Sequence, residues 1–475
     1  MKKKFLHDIS ANLLQVVINQ LCGLAIFYIL SARLAKNDFG EINWSLAVLL
    51  TTFNILSFGI DQVSIKKIAS GKDIRLTLSA YVMHVVVSGL MMYVLLLTCN
   101  FIFPKFFQTH QFLLLIAIGK LMIFFSTPFK QLVAGLEKFR ALLYMAVCSN
   151  ILRSLALIVL TFTHQLTINI IIAIFIIGDI AELLLCLLLT KYYLKVSLSF
   201  QWDTGNYKAL LNESLPQLGV AIFTSAMARL DWIFLGLMAS NIILANYSFA
   251  YKVFEVSTLP LLIIAPLLIP RFTKIFQPGA AVAEKKMNEL LILLRYEIII
   301  ACGVGLTLNI WWVPVIDLIT HNKYGAVNKQ TILILSFCLP FLYFINFFWT
   351  ISFAQGHLKR IFYIFLICFI INLTGTITLI PFFNAEGAAI AYLVSIIVQS
   401  LLFYKQSGFN QYKTIIGGTV MPMLCAIAAG VIGNLFFSNV WLIFLASFST
   451  YLLCLVLTKQ IRHSHWSVFK QVAGL

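Results

Sequence analysis

The placement of the 34 Lys and Arg residues constrains this chain more than any motif does. They gather in every second gap between long apolar runs. Lys2–Lys4 come first, then Lys66, Lys67, Lys72 and Arg75, then Lys130, Lys138 and Arg140, then Lys191, Lys195 and Lys208. The series goes on through Arg271, Lys274, Lys285 and Lys286, through Lys359 and Arg360, through Lys405 and Lys413, and ends at Lys459, Arg462 and Lys470. The intervening gaps, such as His164–Leu166, Ser240–Asn246, Asn384–Gly387 and Phe437–Val440, carry almost no positive charge. Membrane insertion holds short Lys/Arg-rich loops on the cytoplasmic side, so the alternation predicts a chain threaded repeatedly through a bilayer.

Composition agrees. Hydrophobic residues make up 61% and charged residues 11%, more apolar surface than a water-soluble protein can hide. The net charge of +17 sits in short loops rather than on one continuous face, so a nucleic-acid partner is not expected. The first apolar run, Ile9 to Ser31, is nearer to a spanning length than to a signal core and no A-x-A site follows it; it reads as a retained first helix. The nine cysteines are scattered one to a segment without a C-x-x-C pair, as small apolar helix residues rather than a disulfide or metal framework.

Runs of about twenty apolar residues recur about fourteen times, each able to cross a hydrocarbon core of ~30 Å. The predicted spans are about 9–32, 42–64, 76–103, 112–130, 141–163 and 168–190, then 214–238, 245–269, 289–318, 331–354, 361–383 and 386–404, then 415–437 and 440–459. The expected fold is therefore all-α and polytopic. It comprises an N-terminal six-helix half (1–190), a cytoplasmic linker (191–213), a C-terminal six-helix half (214–404) and an additional helix pair with a tail (405–475). An even number of crossings leaves both termini cytoplasmic. A weak repeat at an offset of about 205 residues sets Ala11-Asn12 against Pro216-Gln217, Phe39–Asn43 against Leu244–Ser248, and Lys66-Lys67 near Arg271. Two halves that both begin inside are related by a pseudo-twofold along the membrane normal, which places a cavity between them. Pro260, Pro266 and Pro270 mark the eighth span as one that can bend.

Charged side chains within the apolar runs are the functional clue, because each costs about 2.5–3.5 kcal/mol at a helix centre on insertion scales. They are Lys120, Arg153, Asp179, Glu182, Arg229, Asp231, Lys252 and Glu255. Asp179 and Glu182 share a helix face, as do Lys252 and Glu255, so pairing across helices competes with a role in binding. Arg229, about 22 Å along its helix, could line a phosphate-binding cavity together with Arg153, Lys120 and Lys252. Asp231, Asp179, Glu182 and Glu255 would tune or couple. Arg295 and Glu297 lie near a helix end, where Arg can reach the interface.

Asn12, Gln15 and Asn19 form a polar stripe on the first helix, and Tyr343, Asn346 and Thr350 form another on the tenth. Such residues suit sugar hydroxyls in a wet cavity, and equally well bond helix to helix. His84 stands alone in the third span, as a proton relay or a hydrogen-bonded structural group. No Walker A sequence, H-E-x-x-H or nucleophile elbow is present, so an enzyme is not expected.

Several segments carry a family resemblance: Asn12-Leu13-Leu14-Gln15, Leu34–Gly40, Gly59–Ala69, Ser214-Leu215-Pro216-Gln217 and Arg229-Leu230-Asp231. Over about residues 1–404 the chain resembles the polysaccharide-transporter branch of the multidrug/oligosaccharidyl-lipid/polysaccharide exporter superfamily, in particular the Wzx-type flippases of O-antigen and capsule assembly. The resemblance implies translocation of undecaprenyl-diphosphate-linked oligosaccharide across a bacterial inner membrane, with the diphosphate against cationic residues and the lipid tail in the bilayer. It carries best onto Arg229 and Asp231. It implies lipopolysaccharide biosynthesis as the setting, a polysaccharide polymerase and chain-length regulator as partners, and no cofactor beyond an H+ or Na+ coupling ion. An ion-coupled drug or cation antiporter of the related multidrug family is the competing expectation, with an acid-dominated cavity; a membrane scaffold without transport is the third.

Overall fold

A chain in lipid must satisfy its backbone hydrogen bonds internally, and the apolar runs do so as helices. The computed structural model describes residues 2–71, 74–196, 201, 203–261, 284–355, 357–406 and 413–462, with side chains described at these positions apart from 2–13, 216, 217, 220, 221, 224, 226, 228, 284–289, 354, 358, 406, 413 and 414. These residues form helices and no strand. In chain order they are α1 (Lys2–Arg33), α2 (Lys36–Leu56), α3 (Ile60–Ala69), α4 (Ile74–Ile102), α5 (Pro104–Thr109), α6 (Leu113–Gly135), α7 (Phe139–Phe162), α8 (Ile168–Leu188) and α9 (Thr204–Met238). Then come α10 (Asn241–Ser257), α11 (Glu284–Thr320), α12 (Lys329–Ala354), α13 (Leu358–Gln406), α14 (Lys413–Phe436) and α15 (Val440–Leu457).

Eleven of the described segments are long and apolar enough to cross a membrane, and one of them, Lys359–Lys405, is a pair. Asn384, at φ 48°, breaks α13 into two antiparallel helices, bridged where Asn372 donates to Ser395 Oγ at 3.4 Å. With α9 and α10, and with α2–α3 taken as one crossing, described helix stands at each of the fourteen expected places, the eighth span lying outside the described residues from 262 onward. The protein is an all-helical, multi-pass membrane protein. The span expected at 42–64 is broken: Phe58 and Gly59 both take positive φ, and α3 starts anew from a left-handed Gly59. Hydropathy does not register a two-residue break of this kind. Pro266 and Pro270 lie outside the described residues.

Helix directions from α1 to α9 follow the charge pattern. α1 and α7 run parallel, since Asn150 donates to Asn19 Oδ1 at 3.0 Å and Ser154, one turn on, donates to the Cys22 carbonyl. α2–α3 and α9 run antiparallel, joined at one end by the Trp44 indole to Ile233 O (3.1 Å) and at the other by Lys67 to Glu213 (3.0 Å). Alternation on this scheme puts Lys66, Lys67, Lys130, Lys138 and Lys191 at the same end as the start of α1.

The chain divides into two compact units, Met1–Ala245 and Asn246–Leu475. This division falls one helix later than the linker at 191–213, because α9 packs along α2, α3 and α4. In the first unit α6 is central, touching α2, α3, α4, α7 and α8. Ile68, Leu78, Phe129, Leu132 and Met145 form a buried apolar cluster there. Gly135 comes so near α3 that a β-carbon on it would lie 2.8 Å from Ile68. One side of α4 is apolar and open, with Met91, Val94, Leu95 and Phe101 all exposed. In the second unit α12 packs between α11 and α13, and α11 also touches α14 and α15. A cavity of about 730 Å³ lies among α11, α12, α14 and α15. Its walls are mainly apolar, and Asn309 donates to Ser336 Oγ at 2.7 Å on its surface.

Candidate functional site

Ionisable groups from three adjacent helices meet in the interior of the first unit. α6 supplies Lys120 and Lys130, α7 supplies Ser149, Asn150 and Arg153, and α8 supplies Asp179 and Glu182. Asp179 and Glu182 are three apart, so a single face of α8 aims both carboxylates inward. Asp179, with no exposed surface, pairs with Lys120 at 3.1 Å and with the Arg153 guanidinium. Glu182 pairs with Lys130 and accepts from the Ser149 hydroxyl. Lys120 and Arg153 are buried as well.

Two glycines make the assembly sterically feasible. A β-carbon at Gly119 would lie 2.6 Å from Asp179 Oδ2, and one at Gly178 would lie 2.8 Å from Arg153 Nε. The guanidinium thus rests on bare α8 backbone and over the Phe175 ring, 5.4 Å from its centroid. From Arg153 a polar chain continues through Asn150 Oδ1 (3.4 Å) to Asn19 on α1. One turn from Asn19, the Gln15 carbonyl oxygen is buried with no described partner. Among the described residues three basic side chains face two carboxylates, a formal excess of one positive charge.

Four expected site residues, Lys120, Arg153, Asp179 and Glu182, therefore come together, with Asn19 beside them. They do so as ion pairs rather than as an all-cationic wall. Lys130 was expected in an inner loop; it belongs to α6, which continues through Gly135, and completes the cluster. The apolar stretch Leu132–Ala134 after it is the signal that could have placed it. Arg229 and Asp231 stand on α9. The Arg229 guanidinium lies 4.4 Å from the centroid of Trp232, and buried Asp231 accepts from the Trp232 backbone N–H at 2.9 Å. Lys252 and Glu255 belong to the second unit, where they pair with each other at 2.7 Å. The side chain of Asn12 lies outside the described residues. His84 is bonded at both ring nitrogens, to Leu56 O at 2.8 Å and to Tyr207 Oη at 3.0 Å, so Nε2 carries the proton and Nδ1 accepts. That is the structural alternative for His84.

At the end of the first unit away from the basic loops, α2, the α5–α6 turn and α9–α10 close on one another. Trp44 stacks on His110 with ring centroids 3.8 Å apart, and Glu41 accepts from the Phe112 N–H at 2.8 Å. Gly40 meets the Asn241 backbone so closely that a β-carbon would sit 1.8 Å from its carbonyl oxygen. Burial pushes the His110 imidazole below its ordinary value of 6.5. A base depressed in this way is neutral in the closed arrangement. Closure is thus at full strength above 6.5 and weakens as pH falls below it, when protonation must first expel the ring. Alkylation of a cysteine introduced by Asn241→Cys, in a background without other cysteines, should accelerate below that pH. The acceleration should vanish on adding His110→Gln.

The description of one protein-family model, "Polysaccharide biosynthesis protein", matches residues 5–276. No curated protein matches the chain. Among solved structures it is similar to a lipid II flippase, MurJ, in an inward closed conformation: TM-score 0.73 and 15% identity, covering 96% of this chain and 98% of that one. An inward-facing multidrug resistance MATE family transporter of the MOP superfamily gives TM-score 0.64 and 13% identity, over 83% and 96% of the two chains. A MOP superfamily transporter from Pyrococcus furiosus gives 0.58 and 13%, over 87% and 97%. At these identities the likeness is one of fold. The family match spans more than half of the chain, and the protein belongs to the polysaccharide biosynthesis protein family.

Proposed function

We propose that this protein carries a lipid-linked oligosaccharide with an anionic diphosphate head from one leaflet of a bacterial inner membrane to the other, by alternating access. The observation that carries the reading is the buried cluster of Lys120, Lys130 and Arg153 against Asp179 and Glu182, with its excess cation inside helices that cross the bilayer. A cation that costs so much to hold in lipid is retained where anionic groups must pass. Membership of a polysaccharide biosynthesis family supports a saccharide cargo; in this reading it is an undecaprenyl-diphosphate-linked repeat unit for O-antigen or another surface polysaccharide. A polymerase and a chain-length regulator would then act on the delivered unit. The basic ends of the first-unit helices, with the start of α1, would face the cytoplasm, as would both termini.

Ion-coupled export of drugs or cations is the second reading, favoured by the shared fold with multidrug transporters. The excess positive charge opposes a cationic cargo. Binding separates the two: protein in lipid nanodiscs should bind undecaprenyl diphosphate in preference to a lipophilic cation. Arg229→Ala should weaken that binding by roughly tenfold or more, the loss of one charge-assisted contact, while insertion is unchanged. Preference for the cation would favour the drug reading.

A further inference from the structure

The second unit holds a carboxylate that no other charge in the described residues balances. Glu297 lies on α11 with 2% of its surface exposed, and neither carboxylate oxygen has a hydrogen-bond partner among the described residues. The register of α11 and α12 shows what faces it. Gly305 lies against Ser336 and Leu339, and Asn309 bonds to Ser336, so the helices run antiparallel and Glu297, two turns before Gly305, stands level with Asn346. Tyr343 and Thr350 flank Asn346 on the same face of α12; these three make the polar stripe seen in the sequence. The Tyr343 hydroxyl and the Asn346 amide nitrogen are themselves buried without partners among the described residues. A buried acid, a phenol and an amide nitrogen thus stand at one level of the α11–α12 pair, none of them hydrogen-bonded among the described residues.

Among the described residues, groups on the remaining neighbours leave Glu297 alone in charge. On α11 itself Arg295 turns to α14, its Nε 3.2 Å from where a β-carbon on Gly418 would sit, and Arg462 lies on that side too. Tyr296 is grouped with that arginine pair. From α15, Tyr451 is committed to the Ile299 carbonyl at 2.9 Å. α14 offers Cys425, near Cys302, and no acid or base between residues 415 and 436. An ionised carboxylate with neither cation nor donor is strongly disfavoured in such surroundings, whereas the neutral acid can donate a hydrogen bond. Among the described residues no group of acids, His or Cys is arranged to hold a metal ion.

We propose that Glu297 is a proton-binding site of the second unit, with Tyr343 and Asn346 as its hydrogen-bonding partners, and that its loading and release bias the transport cycle. One proton from water on one side converts the carboxylate to the acid; the same proton leaves to water after the site is re-exposed, through the half-buried Asn346. No other reactant is needed. The proposal rests on the transport reading for its effect on cargo, and on α11–α12 geometry for the site itself.

Infrared difference spectra of the full-length protein in lipid, taken on stepping pH, test the site without any cargo. The wild type should show a carboxylic-acid carbonyl band that titrates. Glu297→Gln, which keeps size and neutrality, should lose that band, and Glu297→Asp should retain a shifted one. Absence of a wild-type band that Glu297→Gln removes overturns the proposal, as does a band that moves with added Na+ at constant pH. In reconstituted vesicles an imposed proton gradient should accelerate cargo movement in the wild type and leave Glu297→Gln unaffected. Equal response of the two proteins overturns the coupling. A titrating Glu297 band in a protein that moves no lipid-linked saccharide would uphold the site and sink the cargo assignment.

Discussion

Asp179→Ala should lower the stability of the folded protein by about 3–5 kcal/mol, the usual cost of removing one partner from a buried ion pair. Asp179 serves two cations, so its loss leaves both Lys120 and Arg153 buried and unbalanced. Thermal unfolding in detergent should show the largest drop here among single changes in the cluster. The triple variant Asp179→Asn, Lys120→Met, Arg153→Gln removes the whole triad and should recover most of that loss, since neutral groups of similar size tolerate burial. An Asp179→Ala protein within about 1 kcal/mol of the wild type would mean that these charges are hydrated in the membrane and not paired. The same triple variant should fail in transport despite its stability, which separates the structural contribution of the pairs from their use.

The second large effect is expected at Gly40. A β-carbon there would sit 1.8 Å from the Asn241 carbonyl oxygen, and because that atom is backbone, no rotamer change relieves the overlap. Gly40→Ala should therefore prevent the contact of α2 with the start of α10. Overpacking commonly costs about 1–3 kcal/mol, which shifts a two-state equilibrium by roughly five- to 150-fold. Spin labels on cysteines placed at Asn37 and Ile242 should report a longer mean distance in Gly40→Ala than in the wild type. Gly236 offers a graded comparison. Its β-carbon would strike the Trp44 side chain at 2.0 Å, and that ring can move at the expense of its stack on His110. Identical distance distributions in the wild type and Gly40→Ala would show that this end does not close as described.

Hydropathy and charge placement made the helices legible, because both report on a single segment in its solvent. Among the described residues the expected segments needed correction only in local detail: the break at Phe58–Gly59 depends on two backbone angles that composition does not encode. The charges were legible as a set and not as partners. Asp179–Glu182 spacing foretold a shared face, but the choice of Lys120 and Arg153 over solvent is made by helices brought together from α6, α7 and α8. Lys130 was hidden at a span edge, where positive charge is expected for topological reasons. Glu297 was hidden likewise. Near the start of its run it passes for an interfacial residue, and only the register against Asn346 reveals that it lies inside. Grouping α9 with the first unit was equally invisible, since the pattern of α9 records an apolar span but not its neighbour.

Reconstitution measures the central claim most directly. Purified protein in liposomes carrying a fluorescent undecaprenyl-diphosphate oligosaccharide in both leaflets should bring the labelled sugar within reach of an external glycosidase faster than protein-free liposomes do. The rate should fall in Arg229→Ala and in the neutral triple variant, each inserted to wild-type levels. Exposure of the sugar at the protein-free rate, or exposure unchanged in both variants, would contradict the account.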